Sequence, residues 1–380
     1  MSERNGTVGV TKLLGLGLTP GKLRGLQRIS NPGGTLTMLA LDQNNSIIKM
    51  ASEGLKASGQ NREPTYDEIV DAKLDLLTQM APAASAVLVD AVYGARSAVA
   101  GWRLPRTTGL LVRVEKSGAS KNRRGGLMGE VEPGWGVEKI KRMGADAVKL
   151  LVQFEPSEPE SAEHQFKLVE RIYDECRRHD ILLLVETTSY ELADETKESG
   201  DFNKTYKKTE RYLKRKPETV IESARQISRY CDIYKAEFPG TLGHGSDGQI
   251  QENLKRLNQS SERPWVLLSA GVDYPDYEKQ VGLALEAGAS GVLGGRAFWK
   301  EYFTFKTPEE RVGFARGEAL GRLKKVGQMV EKNGQPWFAR YGLSPNDLQR
   351  FRPREGWYHH YGQTRGAAGG TAVRDLSGDY

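Results

Sequence analysis

In the stretch DIYKAEFPG, Asp232 to Gly240, Lys235 stands in the middle of a short apolar run that stops at a proline. An ammonium buried in such a run costs free energy unless it is paired. The chemistry it suits is nucleophilic. An amine attacks a carbonyl only when neutral, and both desolvation and a second nearby cation favour the neutral form. Lys149, inside the run DAVKLLVQF, can supply that second charge. Four more apolar runs end in carboxylates, at Asp42, Asp90, Glu115 and Glu186. Any one of these six residues alone fits a structural ion pair or an outward-facing side chain. Six converging on one rim point to a site.

Other chemistries find less support. A metal centre needs a histidine cluster, but His164 and His179 fall in a helical pattern and at its exit, and His244 is alone in a loop. His359 and His360 are adjacent in the tail, where neighbours on a chain do not readily converge on one ion. No metal site is therefore expected, and Schiff-base chemistry on a lysine requires no external cofactor. Cys176 and Cys231 are the only cysteines, too few for a disulfide scaffold and without metal-ligand spacing, so both read as buried small hydrophobes. The segment GTLGHGSDG, Gly240 to Gly248, resembles a phosphate loop only loosely and reads as a mobile loop near the site.

The elements that must hold these groups follow from the pattern of apolar runs. Eight strand-length runs occur: TLTMLALD, SAVLVD, GLLVRVE, DAVKLLVQF, ILLLVE, DIYKAEF, PWVLLSAG and GVLGG. Amphipathic segments of helical length separate several of them. TYDEIVDAKLDLLTQM places Ile69, Leu74, Leu76 and Leu77 at helical spacing, and SAEHQFKLVERIYDECRRH places Phe166, Val169, Ile172 and Tyr173 on one face. PETVIESARQISRY reads as a helix starting at Pro217, and YPDYEKQVGLALEAGA repeats the pattern. Continuous apolar strands alternating with helices indicate a parallel sheet covered by helices, and eight of them indicate an α/β fold of the (β/α)8 TIM-barrel type. The expected division is an N-terminal extension over 1–22, the barrel with a terminal helix over 23–334, and a C-terminal tail over 335–380. The terminal helix opens at Thr307 and Pro308 and ends at Gly334. The last stretch, GQTRGAAGGTAVRDLSGDY, lacks apolar periodicity and reads as flexible or pinned by a partner subunit.

Composition bounds the partners. With 380 residues, 38% of them hydrophobic, the chain can bury a sizeable core. Its longest apolar runs are far shorter than a membrane span of about 18 residues, and no secretory signal pattern opens it, so a cytoplasmic protein is expected. The formal charge is +6, but 55 basic and 49 acidic residues are interspersed. Anionic small molecules fit that balance better than nucleic acid. The densest basic cluster, Lys207 to Glu218, has only Tyr206 and Tyr212 as interleaved aromatics and reads as the solvated start of a helix.

Seven phrases in order resemble the class I tagatose-1,6-bisphosphate aldolases and their sulfosugar-phosphate relatives. They are LALDQ at Leu39, VDAVYG at Val89, GADAVKLL at Gly144, VETTSYE at Val185, IYKAEFP at Ile233, LSAGV at Leu268 and GVLGGRAFW at Gly291. The resemblance implies that Lys235 is the Schiff-base lysine, Glu186 the general acid/base, and Asp42 and Lys149 the polar partners that tune and position them. It further implies substrate contacts from Gln43 and a phosphate site at Ser269, Gly271, Gly295 and Arg296. That placement agrees with the habit of barrels to hold phosphate after their last two strands.

The implied reaction is reversible cleavage of a ketose 1-phosphate or 1,6-bisphosphate to dihydroxyacetone phosphate and an aldehyde. The substrate is thus a phosphorylated or sulfonated sugar, and a homo-oligomer is expected, without nucleic acid or membrane as partner. Alternatives are an aldolase or transaldolase for a 6-sulfo-ketose, or a non-catalytic anion-binding barrel. One departure stands out. Where such aldolases carry an arginine after the Asp-Gln pair, this chain has Asn44 and Asn45, so an anion contact at the far end of the substrate is either missing or supplied elsewhere.

Overall fold

A computed structural model describes residues 13, 16–193, 195, 209–349 and 358. Ten strands occur among them: β1 (Leu36–Leu41), β2 (Ala86–Val89), β3 (Gly109–Arg113), β4 (Ser120–Lys121), β5 (Leu127–Met128), β6 (Ala147–Gln153), β7 (Leu182–Thr188), β8 (Ile233–Ala236), β9 (Trp265–Leu268) and β10 (Gly291–Gly294). Eight of them close into a barrel in the order β1, β10, β9, β8, β7, β6, β3, β2, and each barrel pairing is parallel. These eight are the eight apolar runs of the sequence. β4 and β5 form a short antiparallel ribbon in the loop after β3.

The period of two along each strand sorts the side chains. Val87, Val112, Val148, Val185, Tyr234 and Leu267 face the helices, while Met38, Leu88, Leu111, Leu184, Ile233 and Leu293 belong to a second buried cluster that fills the barrel. At the N-terminal end of the strands that inner cluster continues into Leu18, Leu26 and Ile29 from the segment around helix Pro20–Ile29, and into Trp337, Tyr341 and Leu343. Gly25 fits against Leu182 there, where a Cβ would lie 2.8 Å from the Leu182 side chain. The bottom of the barrel is therefore plugged by apolar groups from both flanks of the chain. Its top is open.

The helices Tyr66–Met80, Pro159–Arg178 and Tyr274–Glu286 stand where the periodicity puts them. The terminal helix starts with a reciprocal cap between Thr307 and Glu310, runs as Pro308–Phe314, passes through a π-helical turn at Ala315–Ala319, and continues as Leu320–Asn333. One helix departs from expectation. Instead of starting at Pro217, it spans Glu210–Ile227 with Thr209 as its cap and Pro217 inside. The extra turns are anchored by buried Tyr212 and by Arg215, which pairs with Glu155 and Glu195. These contacts offset the backbone hydrogen bond that an interior proline removes. Tyr206 and Lys207 of the basic cluster, His359 and His360, and the last stretch from Gly362 lie outside the described residues.

Candidate active site

Parity brings the charged side chains together. On β8, Ile233 points into the barrel, so Lys235 and Glu237 do as well; on β7, Leu184 points inward, and Glu186 follows. Lys149 on β6 and Arg113 on β3 are register partners, as are Glu186 and Lys235. Above the apolar filling, these residues line a cavity of about 410 Å³, together with Asp42, Gln43 and Asn44 from the loop after β1 and Ser269, Gly295 and Arg296 from the far side.

The centre is a network of buried ion pairs. Lys235 Nζ donates to Glu186 Oε2 at 2.9 Å. Lys149 Nζ reaches the same oxygen at 3.1 Å and also bonds Asp42 Oδ2 at 2.9 Å and Glu115 Oε1 at 2.7 Å. Burial would lower the Lys149 ammonium, but Asp42, Glu115 and Glu186 outweigh it and hold the group well above the ordinary lysine range. Burial would likewise raise Asp42 and Glu186, yet the lysines around them hold both carboxyls below their usual values. Glu115 goes the other way, because burial dominates there and raises it. Lys149 is thus a fixed cation shared by three carboxylates, whereas Lys235 has a single carboxylate partner. Glu115 Oε2 and Gln43 Oε1 are buried without a hydrogen-bond partner.

The opposite rim is built from backbone and one guanidinium. Gly295 N donates to Ser269 Oγ at 3.3 Å. A Cβ on Gly295 would lie 2.7 Å from the Ala40 carbonyl oxygen and 2.9 Å from Gln43 Nε2, so only glycine lets these elements meet. Gly271 does not line the cavity, but at φ +78° it leaves room for Arg296, whose Cζ would be 3.0 Å from a Cβ there. Among the described residues Arg296 has no carboxylate partner.

The structure therefore places Asp42, Gln43, Lys149, Glu186, Lys235, Ser269, Gly295 and Arg296 around one cavity, with Gly271 behind Arg296. Asp90 is the exception among the six charges at strand ends. Its Oδ1 accepts the N–H groups of Val92 and Tyr93, and its Oδ2 pairs with Lys73 from helix Tyr66–Met80. Strand β2 ends one residue before it, so parity no longer directs it inward. Sequence reasoning passed over Arg113 and Glu237, although each stands two residues from a charge it did single out, Glu115 and Lys235, on the same face. Among the described residues no three His, Cys, Asp or Glu side chains are grouped so as to hold a metal ion, and no helix is long and apolar enough to cross a membrane.

Comparison with known proteins agrees with this architecture. The tagatose 1,6-diphosphate aldolase of Listeria monocytogenes is 30% identical over 345 residues, covering 86% of this chain and 96% of the relative. Tagatose 1,6-diphosphate aldolase 1 of Enterococcus faecalis is 30% identical over 295 residues, covering 74% and 84%. Among solved structures, the fructose-bisphosphate aldolase of Plasmodium falciparum shares the fold at 10% identity with a TM-score of 0.59, covering 88% of this chain and 99% of that one. An archaeal fructose 1,6-bisphosphate aldolase aligns at 16% identity with a TM-score of 0.50, covering 82% and 99%. The profile of the DeoC/LacD aldolases matches residues 36–301, from the first residue of β1 to beyond β10. The non-catalytic barrel is thereby set aside: the chain belongs to the DeoC/LacD family and is an aldolase.

Proposed function

We propose that the protein cleaves a ketose 1-phosphate or 1,6-bisphosphate, of the tagatose 1,6-bisphosphate type, through a Schiff base on Lys235. The observation that carries this reading is the contact of Lys235 Nζ with Glu186 Oε2, an oxygen that Lys149 also holds. Of the two buried lysines that line the cavity only Lys235 is free of multiple carboxylates, which makes it the nucleophile and Lys149 the permanent charge. The catalytic unit of this reading is the barrel with its terminal helix, 23–334, and the flanking segments contribute Leu18, Trp337, Tyr341 and Leu343 to its lower plug.

In this mechanism the neutral Lys235 amine attacks the C2 carbonyl, and the carbinolamine loses water to give an iminium. Glu186 accepts the C4 hydroxyl proton, directly or through water. The C3–C4 bond breaks, its electron pair flows into the iminium as an enamine, and the aldehyde leaves. Protonation at C3 and hydrolysis release dihydroxyacetone phosphate and regenerate the amine. Asp42 and Glu115 keep Lys149 in place, so a cation stays beside Glu186 throughout. The phosphate of the ketone half sits against Ser269, Gly295 and Arg296, close to β8, because β9 and β10 follow β8 around the barrel.

The test is borohydride reduction in the presence of dihydroxyacetone phosphate, followed by peptide mapping. One ligand mass on Lys235 is expected. Modification of Lys149 instead would exchange the roles of the two lysines, and the absence of any adduct would sink the Schiff-base mechanism.

A further inference from the structure

The chain lacks an arginine after its Asp-Gln pair, and the structure shows what stands at that place. Asn44 is 6% exposed, and its Oδ1 accepts a hydrogen bond from Lys73 Nζ at 3.0 Å. An ammonium only donates, so the amide oxygen must face Lys73 and the amide NH2 must point away from it. That NH2 has no partner among the described residues, and Asn44 lines the cavity. Asn44 also precedes helix Asn45–Ala57, a helix of 13 residues with no acidic residue in its first turn and no side-chain cap on its N–H groups. Its first backbone N–H groups therefore have no partner among the described residues and carry the positive end of the helix dipole.

A third donor comes from β3. Arg113 is 6% exposed; its Nη1 donates to the Asp42 carbonyl at 2.7 Å and its Nε lies 4.0 Å from Glu115 Oε1. Nη2 has no protein partner among the described residues, and the side chain lines the cavity. The nearest carboxylates, Asp42 and Glu115, are both engaged by Lys149. Asn44, the first residues of the helix and Arg113 thus bring donors to the lining of one cavity. Their place in the ring matters. The β1 and β3 loops straddle β2, which is diametrically opposite β8 in the eight-strand order. Asp90, at the end of β2, is turned away by Lys73 and adds no carboxylate of its own there, which leaves only Asp42 and Glu115, both paired with Lys149.

We propose that the N-terminus of helix Asn45–Ala57, with the Asn44 amide and the Arg113 guanidinium, forms a second anion subsite for the tetrahedral oxyanion, phosphate or sulfonate, at the end of the aldehyde half. A substrate bound to Lys235 by its ketone carbon, with its first phosphate beside Arg296, then crosses the mouth of the barrel to reach this subsite. The arginine absent from the β1 loop is replaced by Arg113 on β3, and Lys73 acts as a positioning residue that sets the Asn44 amide. The proposal rests on the aldolase reading above.

The experiment is the condensation reaction with saturating dihydroxyacetone phosphate. The value of kcat/KM is measured for glyceraldehyde 3-phosphate, for the same acceptor bearing a sulfonate in place of the phosphate, and for uncharged glyceraldehyde. The wild type is expected to favour a charged acceptor by about 10-fold or more, and the better of the two charged acceptors identifies the oxyanion. Asn45→Asp puts a carboxylate at the helix N-terminus, where it suits the helix but repels the ligand. It should lower the ratio of charged to uncharged acceptor by about 10–150-fold, and Arg113→Gln should lower the same ratio. Taking a ratio cancels any loss common to all acceptors. A wild-type ratio near one, or a ratio that both variants leave unchanged, overturns the subsite. Borohydride trapping with dihydroxyacetone phosphate engages only the ketone half. No adduct on Lys235 would sink the aldolase reading itself, whereas an adduct with unchanged ratios would sink the second subsite alone.

Discussion

Strand β8 is flanked by a buried ion pair at each end, and the two pairs differ in almost everything except burial. Asp232, just before the strand, pairs with Lys22 at the bottom of the barrel; Lys235, within it, pairs with Glu186 at the top. Lys22 is 3% exposed and Lys235 4%, so burial does not separate them. Saturation does. Lys22 Nζ bonds both oxygens of Asp232, at 2.8 and 2.9 Å, and Asp232 Oδ2 accepts the Leu183 N–H as well. Lys235 holds one oxygen that it shares with Lys149, beside unpartnered oxygens on Glu115 and Gln43 and an open cavity. A buried charge with every partner supplied by the protein is structural. One left with capacity to spare, facing a cavity, is placed to meet a ligand.

The sharpest way to break this contrast is at the top. Glu186→Gln keeps the shape of the side chain and removes the proton acceptor, and should lower kcat by about 10²–10⁴-fold while Lys235 still forms a trapped imine. Steady-state kinetics paired with borohydride trapping measures both. Near-normal turnover would move the proton-accepting role to another group, with Asp42 next in line.

The sequence made one side of this comparison far more legible than the other. The eight apolar runs gave the barrel, because strands buried on both faces carry a continuous signal that needs no knowledge of neighbours. Lys149, Glu186 and Lys235 stood out because each interrupts such a run. Arg113 and Glu237 were as visible by parity, but stand beside another charge that drew the eye. The role of Asp90 was not legible. Whether it turns inward depends on where β2 ends and on Lys73 in a helix seventeen residues earlier. The bottom pair was hidden for the same reason, since Lys22 and Asp232 lie 210 residues apart and meet only once the barrel closes. Pro217 misled through a local rule that long-range contacts of Tyr212 and Arg215 override.

At the bottom the comparison is tested through stability. Lys22→Met leaves the Asp232 carboxylate buried without its cation, which should cost about 3–5 kcal/mol. Adding Asp232→Asn should recover most of that loss, because a neutral amide no longer demands a cation. The check is the urea midpoint, with kcat/KM per folded molecule measured alongside at low temperature and expected to stay within about twofold. A fall in activity of the folded enzyme would show that the two ends of β8 are coupled, and an unchanged midpoint would show that the pair does not hold the bottom plug.

The smallest effects lie in pH dependence, where the top carries lowered carboxyls beside a raised lysine and the bottom a raised lysine. Asp42 and Glu186 are held below their ordinary values of 3.8 and 4.5, so their contribution to stability is present above that range and lost as pH falls through the lower, folded values. Glu115 is raised, so it binds its proton earlier in the folded protein and opposes this loss as pH falls. Burial would lower Lys22, but Asp232 outweighs it and raises the group above 10.5. Its contribution is therefore fully present below that pH and lost as pH rises through the folded value. Lys149 at the top is raised as well, so both ends contribute to the alkaline limb, and urea midpoints compared between about pH 3 and 5, and again between about pH 9.5 and 11.5, separate the ends through variants of each. Glu186→Gln should flatten the acid limb and Glu115→Gln should steepen it, and each should also flatten the alkaline limb, because both carboxylates help to raise Lys149. Lys22→Met should flatten the alkaline limb alone. If Lys22→Met changed the acid limb as much as the alkaline one, the barrel's two buried networks would titrate as a single unit, and the division between a saturated bottom and an unsaturated top would fail as a guide to where this chain does its chemistry.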